Sequence, residues 1–211
     1  MSNSVARNFA PSASARPERV GSLYARDGGR KYLSAAERRR ALAAMDSLAE
    51  ERALFALTLA WTGARVSEVL ALTAASFQIE SSVVALCTLK RRRQCVREVP
   101  LPPSHMTALD DHFMLAEIQR SADASNVRLW PWCRQTAWRL IKEVMDQAAV
   151  VGRPACPRGL RHSFGVGTLQ AGVPLNLVQR WMGHARMSTT AIYADASGDE
   201  ERAFARRFWR L

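Results

Sequence analysis

Residues 83–101 read VVALCTLKRRRQCVREVPL, and their period decides the architecture. VVALCTL (83–89) and CVREVPL (95–101) are rich in β-branched residues, whereas the KRRRQ between them is wholly polar. That is the pattern of two short strands joined by a charged turn. FQI (77–79) is a candidate third strand just upstream.

Outside this patch the period is helical. Ser34 followed by Glu37 makes a capping box, and Leu42, Met45 and Leu48 continue as an apolar stripe, giving a first helix. A second covers about 51–62, and after Gly63 the segment ARVSEVLAL starts a short helix near Arg65. Helical spacing returns from Pro103 over about 103–119, then 134–149, 159–171, 175–182 and 188–194, with a last helix from about Asp199. The expected fold class is mainly α with a small antiparallel β-sheet, an α+β domain. Its expected extent is 32–195, between a basic flexible N-terminal arm (1–31) and a C-terminal helix (196–211). Ser197 with Glu200 caps that last helix, and its stripe of Phe204, Phe208 and Leu211, with Trp209 beside it, suits docking on a neighbouring protomer.

A chain of 211 residues, 48% of them hydrophobic, is long enough for one sizeable core. It has no run of about 18 apolar residues, and MSNSVARNFAPSASARPERV lacks the apolar centre of a secretory signal. The expected location is the cytoplasm, at the nucleoid or a plasmid. Cys87, Cys95, Cys133 and Cys156 form no C-x-x-C pair, and the four histidines lack zinc-ligand spacing, so neither a disulfide framework nor a structural metal is indicated. The net charge of +11 favours a polyanionic partner, with nucleic acid first. Residues 1–40 hold nine lysines and arginines against three acids, which suits an arm that touches phosphates.

Four separated segments each offer a residue suited to a phosphodiester. In TGARVSE, Arg65 opens a helix after a glycine and Glu68 lies on the same face, able to orient a neighbour. Lys90 stands at the start of the hairpin turn, where a flexible ammonium can donate a proton; Arg91, Arg92 and Arg93 beside it read as backbone-phosphate contacts. In CPRGLRHSFG, Arg158, Arg161 and His162 share a face near a helix start, whose N–H groups favour an anion; His162 taken alone reads as a satisfied core histidine. In MGHARMSTTAIYAD, His184 follows Gly183 and Tyr193 comes nine residues later. A lone tyrosine on a helix usually packs with its hydroxyl satisfied.

The ordered set is more specific than its parts. G-x-R-x-S-E, a lysine in a hairpin ending in V-P-L, x-G-L-R-H-S-F, M-G-H and T-x-x-Y together resemble the catalytic domain of tyrosine site-specific recombinases, the integrase family. The resemblance runs from about Tyr32 to Asp195, and the length is that of short members consisting of the catalytic domain alone, such as the fimbrial inversion type. It implies a DNA recombinase working through a 3′-phosphotyrosyl intermediate without metal, ATP or any other cofactor. Arg65 and Arg161 would clamp the non-bridging oxygens, Lys90 would protonate the departing 5′ oxygen, His184 would hydrogen-bond the phosphate and Tyr193 would attack phosphorus. The implied partners are double-stranded DNA at specific sites, touched also by Arg38 and Arg39, and further copies of the chain, two on one site and four in synapsis.

The chemistry agrees with that inventory. A phenol with a pKa near 10 is a poor nucleophile at neutral pH, so transfer depends on positioning and on positive groups around the phosphate. One position departs from the family pattern. Arg158 occupies the place of the histidine in H-x-x-R, and a guanidinium does not give up its proton to act as a base. That departure keeps open a DNA-binding protein with the fold but without catalysis; a type IB topoisomerase-like relaxing enzyme is a third reading.

Overall fold

The computed structural model describes residues 22–88, 95–120, 126–195 and 205–206. Helix α1 (Ala35–Asp46) begins at the capping box expected for it: the Ser34 hydroxyl accepts the Glu37 N–H at 3.3 Å and the Glu37 carboxylate accepts the Ser34 N–H at 2.7 Å. Helix α2 (Glu50–Thr62) lies deeper, with Leu54, Phe55, Ala56 and Leu59 all buried. It stops at Gly63, whose φ of 58° carries the chain into the left-handed region, and the short α3 (Val66–Val69) follows.

The sheet matches the sequence expectation. Strands β1 (Phe77–Gln78), β2 (Val83–Thr88) and β3 (Cys95–Pro100) pair antiparallel in the order β1-β2-β3, with Val84 opposite Val99 and Leu86 opposite Arg97. Val84, Leu86 and Thr88 of β2 face inward, as do Arg97 and Val99 of β3. An arginine thus occupies a core-facing position of a strand. The connecting residues 89–94, with Lys90, Arg91, Arg92 and Arg93, lie outside the described residues.

Helices α4 (Pro103–Phe113) and α5 (Leu115–Ile118) replace the single helix expected over 103–119. Met114 adopts φ 52° between them, and the Asp110 carboxylate accepts the Ala116 N–H at 2.8 Å, which starts a new helix instead of continuing the old one. Helix α6 (Arg134–Gln147) packs Ala137, Leu140, Ile141, Val144 and Met145 into the main core. Helix α7 (Pro157–Gln170) starts two residues earlier than expected because Pro157 suits a first helical position, so Arg158 falls in its first turn. Helices α8 (Leu175–Met182) and α9 (Met187–Ala191) follow, and the chain then tightens into a 3-10 turn, Ile192–Asp195, that carries Tyr193.

Most apolar burial lies in one core around Phe55, Leu86, Trp130 and Ile141. A smaller cluster joins Leu23, Tyr32, Phe164, Val166, Val178, Met182 and Tyr193. Within the segment expected as an arm, Leu23 is buried in this cluster, Lys31 donates its N–H to the Leu23 carbonyl and Arg153 pairs with Asp27, while Arg26, Asp27 and Gly28 are exposed. Residues 1–21 lie outside the described residues, as does the segment expected as a C-terminal helix, with Phe204, Phe208, Trp209 and Leu211, apart from helical Ala205 and Arg206. Among the described residues no helix is long and apolar enough to cross a membrane.

Gly63 joins both clusters. A Cβ built there would stand 2.4 Å from the Phe164 ring, on a backbone that already disfavours side chains. Gly63→Ala is expected to destabilise the fold by about 2 kcal/mol or more, summing the left-handed penalty and overpacking. The urea midpoint measures this.

Candidate active site

Glu68 is the centre of the site's scaffold. Its carboxylate is buried and holds Arg65 twice: Oε2 accepts the Arg65 backbone N–H at 2.9 Å and Oε1 accepts the guanidinium at 2.7 Å. Oε2 also accepts Nη2 of buried Arg97 at 2.7 Å. Arg97 in turn donates Nη1 to the Thr88 hydroxyl at 3.0 Å and Nε to the Trp181 carbonyl at 2.6 Å. One buried ion pair therefore ties α3, both strands of the hairpin and the end of α8 together. Burial opposes ionisation of Glu68, but the hydrogen bond and charge of Arg97, followed by those of Arg65, outweigh it and hold the carboxyl below its ordinary range.

Arg161, on α7, spans the other side. It donates Nη1 to the Gly63 carbonyl and Nη2 to the Met182 carbonyl, the latter at 2.6 Å. The guanidinium thus joins the turn before Arg65 to the turn before His184. Burial, and then the nearby charge of Arg65, push its pKa down to about 10, so it keeps its proton at neutral pH.

His184 follows Gly183, and its Nδ1 pairs with the Thr190 hydroxyl at 2.9 Å. If that hydroxyl donates, the ring proton sits on Nε2, free to face a phosphate. Burial, with the positive charges of Arg161 and Arg65, pushes its pKa down to about 3, which keeps the imidazole neutral. Its ring lies face to face with that of Tyr193, at 6.1 Å between centroids and 16° between planes. Tyr193 is only 1% exposed. Its hydroxyl pairs with Nδ1 of His162 at 3.2 Å, and burial pushes its pKa up to about 12 against the opposing pull of Arg161 and Arg65.

Of the residues singled out in the sequence, Arg65, Glu68, Arg161, His184 and Tyr193 converge here. Arg158 is exposed, one helical turn before Arg161, and acts on His162 through its charge. The positions of Lys90 and of Arg91, Arg92 and Arg93 lie outside the described residues. Arg39 is exposed on α1, but Arg38 lies with its guanidinium 5.2 Å over the Trp61 ring, and its buried Nε has no hydrogen-bond partner among the described residues. The four cysteines are free, and among the described residues no three His, Cys, Asp or Glu side chains are placed to hold a metal ion.

Four contributors escaped the sequence reading: Arg97, Thr190, His162 as the phenol's partner, and Gly165. Arg97 left a signal, because it shares strand parity with Val99 and is therefore a charged residue on the apolar face. Gly165 left none. A Cβ there would stand 2.7 Å from the Tyr193 ring, so the glycine is the seat on which the ring rests.

Comparisons with known proteins place the chain in a family. The family model described as "Phage integrase family" matches residues 31–200, and the chain belongs to that family. The tyrosine recombinase XerC of Roseiflexus sp. (strain RS-1) is 36% identical over 140 residues, 63% of this chain and 43% of the relative. The tyrosine recombinase XerD of Corynebacterium glutamicum is 32% identical over 165 residues, 76% of this chain and 51% of the relative. The chain thus spans about half the length of these curated relatives. A crystal structure of XerA recombinase superposes with a TM-score of 0.68 at 24% identity, covering 84% of this chain and 64% of the other. A XerH recombinase bound to its difH substrate in a pre-cleavage complex gives 0.66 at 20%, covering 90% and 56%.

Removing the Glu68 charge leaves Arg97 buried without its counterion. Glu68→Gln is expected to cost about 3 kcal/mol or more of stability at pH 7, read from urea unfolding. The folded-state pKa of Glu68 lies below its unfolded value of 4.5, so its contribution is present in full above that value. It is lost as pH falls through the folded pKa. The gap between wild type and variant should therefore close on acidification below about pH 4.5; a gap unchanged down to pH 3 would refute the pairing.

Proposed function

We propose that this protein breaks and rejoins double-stranded DNA at specific sites, with Tyr193 as nucleophile and a 3′-phosphotyrosyl intermediate. The observation that carries the reading is the convergence of Arg65, Arg161, His184 and Tyr193, from four separated segments, at a place where two guanidinium groups and a neutral imidazole surround one phenol. A phosphodiester is the group that this set fits. Two guanidinium groups bind its non-bridging oxygens, the imidazole donates a hydrogen bond, and the phenol stands ready for in-line attack. Arg161 keeps a second N–H on each Nη after serving Gly63 and Met182, so scaffolding and phosphate binding are compatible.

Lys90 is assigned as the acid for the 5′ oxygen, and Arg91, Arg92, Arg93 and Arg39 as contacts to the DNA backbone. Residues 1–21 are assigned as a phosphate-contacting arm. The catalytic domain acts in the cytoplasm as a dimer on one site and a tetramer in synapsis, with the C-terminal helix docked on the neighbouring protomer. The exposed arginine at 158 favours a second reading, a DNA-binding protein that keeps the fold without cleavage.

Trapping on nicked duplexes separates the two. Wild type should leave a covalent protein–DNA adduct on a denaturing gel, and Tyr193→Phe should bind DNA equally well and leave none. Wild type without an adduct on any sequence of a randomised duplex pool would support the second reading. Arg161→Lys keeps the charge but loses the planar fork, so it should slow adduct formation at least tenfold more than it weakens DNA binding, measured by gel shift beside a cleavage time course. Equal losses would reduce Arg161 to a scaffold.

A further inference from the structure

The phenol of a phosphotyrosyl enzyme must lose a proton as its oxygen bonds to phosphorus, and Arg158, in the place of the family's histidine, cannot take it. We propose that His162 is the proton acceptor for Tyr193, which makes it a catalytic residue; the proposal rests on the phosphotyrosyl reading above.

His162 is the group that the Tyr193 hydroxyl already meets, with Nδ1 at 3.2 Å and ring centroids 5.9 Å apart. Helix α7 presents Arg161, His162 and Gly165 within little more than one turn, so one rigid element supplies a phosphate clamp, the acceptor and the seat of the tyrosine ring. His184 is poorly placed for the same task. Its Nδ1 is engaged with Thr190, and its ring plane is nearly parallel to the Tyr193 ring.

An acceptor must be unprotonated before the reaction. Burial, then the charges of Arg161, Arg158 and Lys31, push the His162 pKa down to about 4. The charged and titratable groups around it are thus Arg161 and Arg158 on its own helix, Lys31 ahead of α1, Tyr193 on the 3-10 turn, and His184 ahead of α9. A phosphodiester entering beside Arg161 brings negative charge that offsets this repulsion. His162 becomes more basic when the substrate arrives, which is when the proton has to leave.

The step balances as follows. The Tyr193 oxygen bonds to phosphorus while the P–O5′ bond breaks. The phenolic proton passes to His162 Nδ1, turning a neutral Nε2–H imidazole into imidazolium, and the 5′ oxygen departs with a proton from a separate acid, assigned above to Lys90. In rejoining, a 5′-hydroxyl attacks phosphorus, that acid recovers its proton, and His162 returns its own to the tyrosine.

Two measurements test this. In the full-length wild-type protein without DNA, long-range nitrogen–proton NMR should find His162 as the Nε2–H tautomer, with Nδ1 unprotonated; a proton on Nδ1 would make the histidine a donor to the phenol and overturn the assignment. The second uses a nicked duplex selected by wild-type adduct formation from a pool with a randomised core. His162→Asn keeps a polar group near Nδ1 but accepts no proton, so its adduct should form about 10²–10⁴-fold more slowly at pH 7 with unchanged DNA affinity. The deficit should shrink roughly tenfold per pH unit towards pH 9, as free phenolate replaces the missing base, and a fluorinated tyrosine at 193, which ionises more readily, should restore rate. A wild-type rate, or a deficit equal at every pH, would overturn the assignment. If His162→Asn does not fold by circular dichroism, the tautomer decides. No wild-type adduct on any sequence would sink the phosphotyrosyl reading itself, and the acceptor role with it.

Discussion

The buried carboxylate of Glu68 is the contact on which the site depends. A buried charge survives only with good partners, and here each oxygen has one or more: the Arg65 backbone and guanidinium, and Arg97 from β3. Arg97 passes the constraint on to Thr88 and to the Trp181 carbonyl at the end of α8. The two chain segments that lead to Arg65 and His184 are thereby held to one another and to the hairpin strands near their turn. Arg161 repeats the device with the carbonyls of Gly63 and Met182. Arginine suits both places, since its planar fork satisfies several acceptors at fixed angles and lysine does not.

The site's electrostatics describe a centre waiting for an anion. Burial and the nearby charge of Arg65 lower the affinity of Arg161 for its proton, and both histidines are kept neutral by burial and by neighbouring positive charges. The tyrosine is buried and hard to ionise. Positive charge gathered in a partly desolvated place costs free energy, and an anion bound there would relieve it.

Close packing places Tyr193, the proposed nucleophile. Tyr193 sits in the smaller apolar cluster with Phe164, Val178 and Met182, its ring against Gly165 and its oxygen on His162. It therefore answers both descriptions of a helix tyrosine: its ring packs, and its oxygen is held by a group that can accept a proton. The same cluster contains Leu23 and Tyr32, so the residues ahead of α1 help to form the wall behind the site.

Local rules accounted for much of this protein. The β-branched runs in 83–101, the capping box at Ser34 and the apolar spacing of α2 and α6 are short-range signals, and the elements they mark are present. The ordered motifs around Arg65, Arg161, His184 and Tyr193 carried the family and the roles implied for those four, because chemistry at a phosphate restricts residue types at each position. The break at Met114 and the burial of Leu23 ahead of α1 were hidden, since the first rests on one side-chain cap and the second on packing against distant helices. Thr190, Gly165 and the hydroxyl-to-imidazole pairing of Tyr193 with His162 were hidden for the same reason, and Arg97 showed only as a charged residue at a core-facing strand position whose partners lay elsewhere. Each acquires its meaning from a partner in another element, between 6 and 84 residues away in the hydrogen bonds concerned, and only the packing of α3, α7, α8 and the hairpin brings those partners within 3.2 Å. Residue type and spacing determined which chemistry this chain can support; tertiary structure decided which groups touch, because proton transfer and ion pairing depend on distances that no local pattern encodes.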